Sequence, residues 1–259
     1  MSSPTAIIPL AKGATLSLSA IQQSFVSAWP RLPRPMQAKR NEHTLSFCVG
    51  GSTVTFELKA GPVRSSEFET ICRDSWLWPE ASRILADHRG HVVVSVDSKE
   101  TSLNQVKFLS LAITALLMTC PSALGVYWCA GSLVVSAEMF REFCVRMLPD
   151  SLPLYIWIDF RVSRQESGRS GGHTRGLFQF GLMDIETLNA REAPDPLRER
   201  LFGLAVYLIE NGLIIKNGDT IDEDERETIK VVYGDSAFGN PRRIMRLDYG
   251  APAKAARRR

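Results

Sequence analysis

The sequence predicts an α+β protein, with antiparallel or mixed sheets and helices packed beside them. Three observations predict it. Two β-rich runs, Thr44 to Val49 and Thr53 to Leu58, flank Gly50-Gly51-Ser52 and read as a hairpin. A buried strand, His91 to Val96, precedes a long apolar helix from about Leu103 to Thr119. In the second half, β-rich stretches recur around a helix that opens at Pro194-Asp195-Pro196 and stops at Gly212. Both halves thus set helices beside a sheet.

Taken in order, Ala6 to Leu10 is a first strand. Ser17 or Ser19 caps a helix whose apolar positions Ile21, Phe25 and Trp29 recur at helical spacing, with Pro30 after them. After the hairpin, residues 66–72 and 80–88 are short helical pieces, with Trp76 and Trp78 in the connector between them. The order strand, helix, strand, strand, helix, strand up to residue 96 suggests a ferredoxin-like arrangement, and the whole chain allows two related halves of that kind. The helix over 103–119 ends at Cys120-Pro121. Residues 124–129 and 133–135 are strand-like, and 138–148 is an amphipathic helix. Leu152 to Val162 reads as the strongest strand, with Tyr155, Trp157, Asp159 and Arg161 on one face. A Gly/Ser loop over 167–172 leads to a partner strand, Gly176 to Met183. Leu213-Ile214-Ile215 is a short strand, and Thr228 to Tyr233 and Arg243 to Leu247 close the chain as strands. The expected organisation is one domain over 1–250, with a subdivision near 150, and a disordered basic tail over 251–259.

Composition narrows the function classes. The 259 residues are 44% hydrophobic and 23% charged, as in a globular domain large enough to bury a core without staples. The formal charge of +3 comes from the tail, where Lys254, Arg257, Arg258 and Arg259 lie. The expected folded surface is therefore not basic, and no direct nucleic-acid contact is expected. Five cysteines, odd in number and set in apolar runs without a Cys-x-x-Cys pair, read as reduced core thiols in a cytoplasmic protein. The N-terminus shows no leader pattern, and the apolar run Phe108 to Met118 is too short to span a bilayer, so no membrane partner is expected.

Several motifs invite chemistry. Gly168-Arg169-Ser170-Gly171-Gly172 satisfies Gly-x-Ser-x-Gly, with His173 beside it. A nucleophile elbow needs that serine on a turn from strand into helix, whereas this loop runs into a strand. Arg164, Arg169 and Arg175 surround the same glycines and could hold a phosphate, but no phosphate-loop motif accompanies them. His88-x-x-His91 lacks the Cys or carboxylate partners of a zinc site. No catalytic residue, metal or cofactor is expected. The segment Asp219, Asp222, Glu223, Asp224, Glu225, Glu227 is densely acidic. It reads as a solvated loop or the start of a short helix, or else as a face that steers a basic partner. An EF-hand would need another spacing. Trp128 and Trp157 suit a core, while Trp76 and Trp78 are the exposed anchors expected of an interface.

Four separated blocks carry a resemblance: Gly125-Val126-Tyr127-Trp128, Leu152-Pro153-Leu154-Tyr155-Ile156-Trp157-Ile158, Thr174-Arg175-Gly176-Leu177-Phe178-Gln179-Phe180-Gly181, and Gly218-Asp219-Thr220-Ile221. In order and spacing they resemble the bacterial domain-of-unknown-function family four-two-six-one, over roughly residues 90 to 235. The first 60 or so residues match it more loosely. The resemblance implies no activity and transfers no catalytic residue. It implies a bacterial context near type VI secretion or polymorphic-toxin genes. The expected function is accordingly an immunity protein that binds and neutralises a cognate toxin or effector, such as a nuclease. The rivals are a secretion adaptor or chaperone for an effector, and a hydrolase using the 168–173 loop.

Overall fold

A computed structural model describes residues 3–224 and 227–250, with the backbone alone described at 222–224 and 227. The chain divides into two units, Met1–Ile158 and Asp159–Arg259. The tail over 251–259 and Glu225 lie outside the described residues. The fold is α+β throughout.

The first unit is built on a seven-stranded sheet of order β2-β3-β4-β5-β1-β6-β7. Its strands are β1 (Thr5–Leu10), β2 (Met36–Arg40), β3 (Thr44–Val49), β4 (Ser52–Ala60), β5 (Gly90–Asp97), β6 (Gly125–Trp128) and β7 (Leu133–Ser136). The β3–β4 hairpin forms as its alternation predicts, closed by Gly50 and Gly51 at positive φ. Every neighbouring pair is antiparallel. A ferredoxin-like sheet is antiparallel too, but it sets its first strand between its third and fourth; here β5 lies between β4 and β1, so the expected ferredoxin-like order does not form. β1 instead slots between β5 and β6, with Thr5 opposite Ser95 and Ala6 opposite Trp128.

Side chains alternate along these strands, so one face carries Ala6, Ile8, Phe47, Val54, Phe56, Val92, Val94 and Trp128, all buried. The helices α1 (Leu18–Ala28), α4 (Ser102–Thr119) and α5 (Ala137–Met147) cover it. Phe25 meets Phe47 edge-on at 6.2 Å, and Phe140 lies 6.0 Å from Trp128. On the other face, α2 (Ser66–Arg73) and α3 (Ala81–Leu85) close a second core of Phe68, Ile71, Trp78, Leu85, Tyr127 and Val134. Helix α4 is long and apolar enough to cross a bilayer, with mean hydropathy 1.2, and 56% of it is buried inside the fold. Leu109, Ile113 and Leu116 on one side and Leu111 and Ala115 on the other are all buried, which explains its weak amphipathicity.

The polar residues of α4 are handled internally. Ser110 donates to the Val106 carbonyl at 3.0 Å and accepts the Trp157 indole N–H at 2.7 Å. Thr114 donates to the Ser110 carbonyl at 2.8 Å. Trp157 thereby stacks on Trp128 at 6.4 Å between centroids. This corrects the expected strand over 152–162. Residues Leu154–Ile156 form a 3-10 turn after Pro153, and the coil swings Trp157 toward α4. Only the end of that stretch is strand.

The second unit holds a six-stranded sheet of order β11-β12-β13-β10-β9-β8. Its strands are β8 (Asp159–Arg164), β9 (Ser170–Arg175), β10 (Ile185–Ala190), β11 (Thr220–Asp224), β12 (Glu227–Gly234) and β13 (Ile244–Asp248), and α6 (Pro194–Asn211) packs on β8 and β9. β10 and β13 run parallel; the other pairs are antiparallel. The Gly/Ser loop expected at 167–172 is mostly β9, and the turn is confined to 165–169. Gly172 is there because α6 comes close: a Cβ would lie 2.9 Å from Val162 Cγ1 and 3.3 Å from Leu197 Cδ2. The partner strand expected at 176–183 is instead a 3-10 turn, Leu177–Phe180, entered and left through Gly176 and Gly181 at positive φ. Residues 213–215 form no strand.

Replacing Ser110 by alanine leaves the Trp157 N–H buried without an acceptor, and should lower stability by about 1–3 kcal/mol. Thr119→Ala, which removes a similar back-bond near the helix end, should stay within about 0.5 kcal/mol. Denaturant midpoints followed by tryptophan fluorescence compare the two, and equal effects would remove Ser110 from its central place.

Candidate functional site

Where β8, β9, β10 and β13 lie side by side, one cross-strand row reads Arg161, His173, Glu186, Arg246. Residues opposite one another share a face, so these four side chains line one surface of the second sheet. Asp159 and Arg175 form the next row on that face. The other face carries Phe160, Ile185, Met245, Leu247 and Val231, all buried, with Phe160 meeting Phe202 of α6 at 5.7 Å. A polar face and an oily face on one sheet are what period-two alternation produces.

The polar face is organised by buried carboxylates. Asp159 accepts from Arg161 Nε at 2.6 Å, and its carboxylate is almost wholly buried. Glu186, 1% exposed, accepts from the Ser236 hydroxyl and from the Ala237 N–H at 2.9 Å. Asp184 accepts from the Leu177 N–H at 2.9 Å, Asn240 Nδ2 at 2.9 Å and Thr174 Oγ1 at 3.2 Å. Burial pushes the Asp184 carboxyl up from its ordinary value, while these donors pull it back. Glu186 and Asp184 together clamp the 235–240 loop onto the sheet. Phe238 of that loop lies on the His173 ring at 4.6 Å, and Arg242 sits 4.4 Å over the Phe178 ring.

This setting favours the neutral form of His173. Burial lowers its pKa, Asp159 and Glu186 oppose that, and Arg175 and Arg161 reinforce it. Ser170, three residues earlier on the same strand, points to the opposite face, where its buried hydroxyl donates to the Glu192 carbonyl at 2.6 Å. The Gly-x-Ser-x-Gly segment is therefore a strand with its serine engaged, and it does not assemble a serine–histidine pair. The three arginines around it also separate. Arg164 donates to Gly168 O within the turn at 2.8 Å, whereas Arg175 reaches the Phe238 carbonyl at 3.5 Å.

The other chemical candidates are accounted for by packing. His88 donates from Nδ1 to the Leu85 carbonyl at 2.6 Å and accepts the Val63 N–H on Nε2 at 2.7 Å, so both ring nitrogens are used. Burial pushes the Cys72 thiol up to about 11 and those of Cys129 and Cys144 to about 12, leaving them protonated near neutrality. Among the described residues, no group of three or more His, Cys, Asp or Glu is placed to hold a metal.

The expected docking residues fall in both units. Trp76, in the first, is 37% exposed and meets Tyr155 edge-on at 6.4 Å. Trp78 is a correction: it is only 7% exposed, because the connector folds it over Gly125, where a Cβ would lie 2.6 Å from its ring. Of the acidic segment, Thr220–Asp224 is neither loop nor helix start. It is the edge strand β11, paired with β12 through Ile221 opposite Ile229 and Asp222 opposite Thr228, with a bulge before Asp224. Asp219 is exposed and accepts the Lys216 N–H at 2.7 Å, so its carboxylate shapes the turn into β11. The side chains of Asp222, Glu223, Asp224, Glu225 and Glu227 lie outside the described residues. Sequence reasoning missed Asp184, Glu186 and Asn240; an acid on alternate positions beside Ile185 was the one available signal.

Asp184→Ala should destabilise by about 2–4 kcal/mol, since three donors lose their acceptor. Asp184→Asn should be milder and should remove a pH dependence. A carboxyl raised on folding gives stability that is fully present below its unfolded pKa and lost as pH rises through the folded one. The stability of the unchanged protein relative to Asp184→Asn should therefore fall as pH rises from about 4 toward 7. Unfolding midpoints across that range measure it, and a difference that grows with pH would reverse the assignment.

No curated protein and no solved structure matches the chain. A family match falls within the second unit and is narrower at its start than the likeness of the separated blocks. Residues 173–248, from His173 on the polar face to Asp248 at the end of β13, match the model of the family described as domain of unknown function (DUF4261).

Proposed function

We propose that this chain is a cytoplasmic immunity protein that binds and neutralises a bacterial toxin or effector through the β11–β12 hairpin of its second unit. The observation that carries this reading is the position of the acidic segment at the end of the sheet order. β11 pairs with β12 on one side, and no further strand follows it among the described residues. An edge strand offers backbone N–H and C=O groups to a partner. Here Asp222, Glu223 and Asp224 lie in that strand and Glu227 opens the next. Carboxylates at an edge discourage self-association and attract a basic chain, such as the nucleic-acid-binding surface of a nuclease.

The rest of the second unit supports that role. Each of the three buried carboxylates on the polar face already accepts hydrogen bonds from the protein, and Ser170 is bound to a carbonyl, so the polar groups there hold shape. A rigid support behind a charged edge reduces the entropy lost on binding. The bacterial toxin context implied by the family resemblance points the same way. Trp76 supplies a further half-exposed aromatic on the first unit.

The test begins with capture of partners by the tagged full chain from its native bacterium, followed by co-expression with any stoichiometric partner. Rescue of growth by the chain supports immunity; binding without rescue supports an effector adaptor. With the partner in hand, Asp222→Lys, Glu223→Lys and Asp224→Lys together should slow association by about tenfold or more at low salt, with the effect shrinking as salt is added. Unchanged association and unchanged salt dependence would falsify the hairpin as the docking edge.

A further inference from the structure

We infer that the first unit carries a second, separate binding site: a cleft for a small polyanion at the end of its sheet. Three neighbouring strands finish there in register, with Ala60 of β4 opposite Gly90 of β5 and Gly90 opposite Leu10 of β1. A cleft of about 530 Å³ opens over this row, a size suited to a small-molecule ligand. Each strand brings a cation to it. Lys59 stands one residue before Ala60, Arg89 one before Gly90, and Lys12 two beyond Leu10. His43, just before β3, completes the wall.

The charge is one-sided. Glu57 is the one carboxylate on the cleft wall, and Lys59 holds it. Arg89 pairs at 3.2 Å with Asp87, which is 88% exposed, and a pair so open to water is weak and readily exchanged for a better anion. His43 lies 3.8 Å from Glu42, another fully hydrated carboxylate. No carboxylate pairs with Lys12 among the described residues.

The remaining wall is shaped for close approach. Gly13 has φ +80 and open space where a side chain would stand, and at Gly90 a Cβ would lie 3.2 Å from the Lys59 carbonyl. The backbone is fixed around them: the Arg89 N–H donates to the Leu10 carbonyl at 2.8 Å, and the Gly61 N–H to the Arg89 carbonyl at 3.1 Å. Arg89, which lines the cleft, is thus anchored by its backbone on both sides. Several cationic residues lining one cleft on a fixed frame, with small residues between them, suit a phosphate or polycarboxylate group.

The experiment is an amide-resolved NMR titration of the full chain with inorganic pyrophosphate and, separately, citrate at low ionic strength. Saturable shifts at Lys12, Gly13 and Gly90 are expected with at least one probe. Preference for pyrophosphate identifies phosphate chemistry, and preference for citrate a polycarboxylate; either supports the site. Lys12→Ala and Arg89→Ala should each weaken binding by about tenfold, Lys12→Arg should retain it, and Glu57→Gln should tighten it. Circular dichroism confirms that the variants are folded. Absence of saturable shifts with both probes, or an affinity unmoved in the Lys12→Ala/Arg89→Ala variant, overturns the proposal.

Discussion

A carboxylate inside a protein has to be met by donors, and in the second unit that requirement decides how the chain closes. Asp184 and Glu186 flank Ile185 at the start of β10, the strand that bridges the antiparallel β8–β9 hairpin and the β12–β13 pair. Ile185 points into the oily face. Its two acidic neighbours are served by groups far along the chain, at Ser236, Ala237 and Asn240. β10 joins β13 in parallel, and a parallel pair needs a long crossover rather than a tight turn. The 235–240 loop that leads back into β13 is held in place by those same carboxylates. Arg175 and Arg246 share that task, donating to the Phe238 and Asp235 carbonyls, and the loop so held lays Phe238 over His173. The acidic hairpin β11–β12 hangs from β13, so its placement at the sheet end follows from the same closure.

The first unit solves its own version of the problem with neutral groups. Ser110 and Thr114 sit inside an otherwise apolar helix and satisfy themselves on the preceding turn. Ser110 then has an oxygen lone pair to offer, and the Trp157 indole takes it. A helix of this composition would suit a bilayer by length and hydropathy, yet it is packed between α1, α5 and the sheet. Its two buried hydroxyls lose nothing by burial, because each has a partner in the fold.

Much of this was legible in the residues where the local pattern and the tertiary outcome agree. The β3–β4 hairpin alternates cleanly and carries glycines at the turn, and α4 is long, apolar and stopped before Pro121, so both follow from sequence. The misreadings share one cause. Tyr155 and Trp157 mimic strand alternation, but Pro153 starts a 3-10 turn that aims Trp157 at a serine 47 residues away. Ser170-Gly171-Gly172 looks like a flexible loop, whereas the glycines answer to Val162, Gln165 and Leu197 pressing on the strand. Trp78 looked free in a connector because nothing local announces that Gly125 leaves room for its ring. In the same way Asp184 and Glu186 resemble surface acids until their donors, more than fifty residues downstream, are in place. The central position of β1 is equally non-local, since its partners lie at 90–95 and 127–128.

The charge distribution carries the functional argument further than the net charge does. A total of +3 says little, since four basic residues lie in the tail; the local groupings say more, with acidic residues at β11 and the start of β12 and cationic residues around the cleft of the first unit. In the second unit the acidic residues fall along an edge strand, a linear feature whose natural complement is another extended chain or a basic protein surface. In the first, the cations come from the ends of three adjacent strands around a concave cleft, a geometry that suits a compact anion and would fit a polypeptide poorly. The two features therefore select different classes of ligand by shape as well as by sign. An immunity protein needs only the first. The second, if occupied in the cell, would make the chain responsive to a small phosphorylated or carboxylated molecule. The binding free energies at the two features would become linked only if one ligand altered the other's site. Occupancy of the cleft and engagement of the hairpin are thus separable measurements, and loss of one leaves the argument for the other standing.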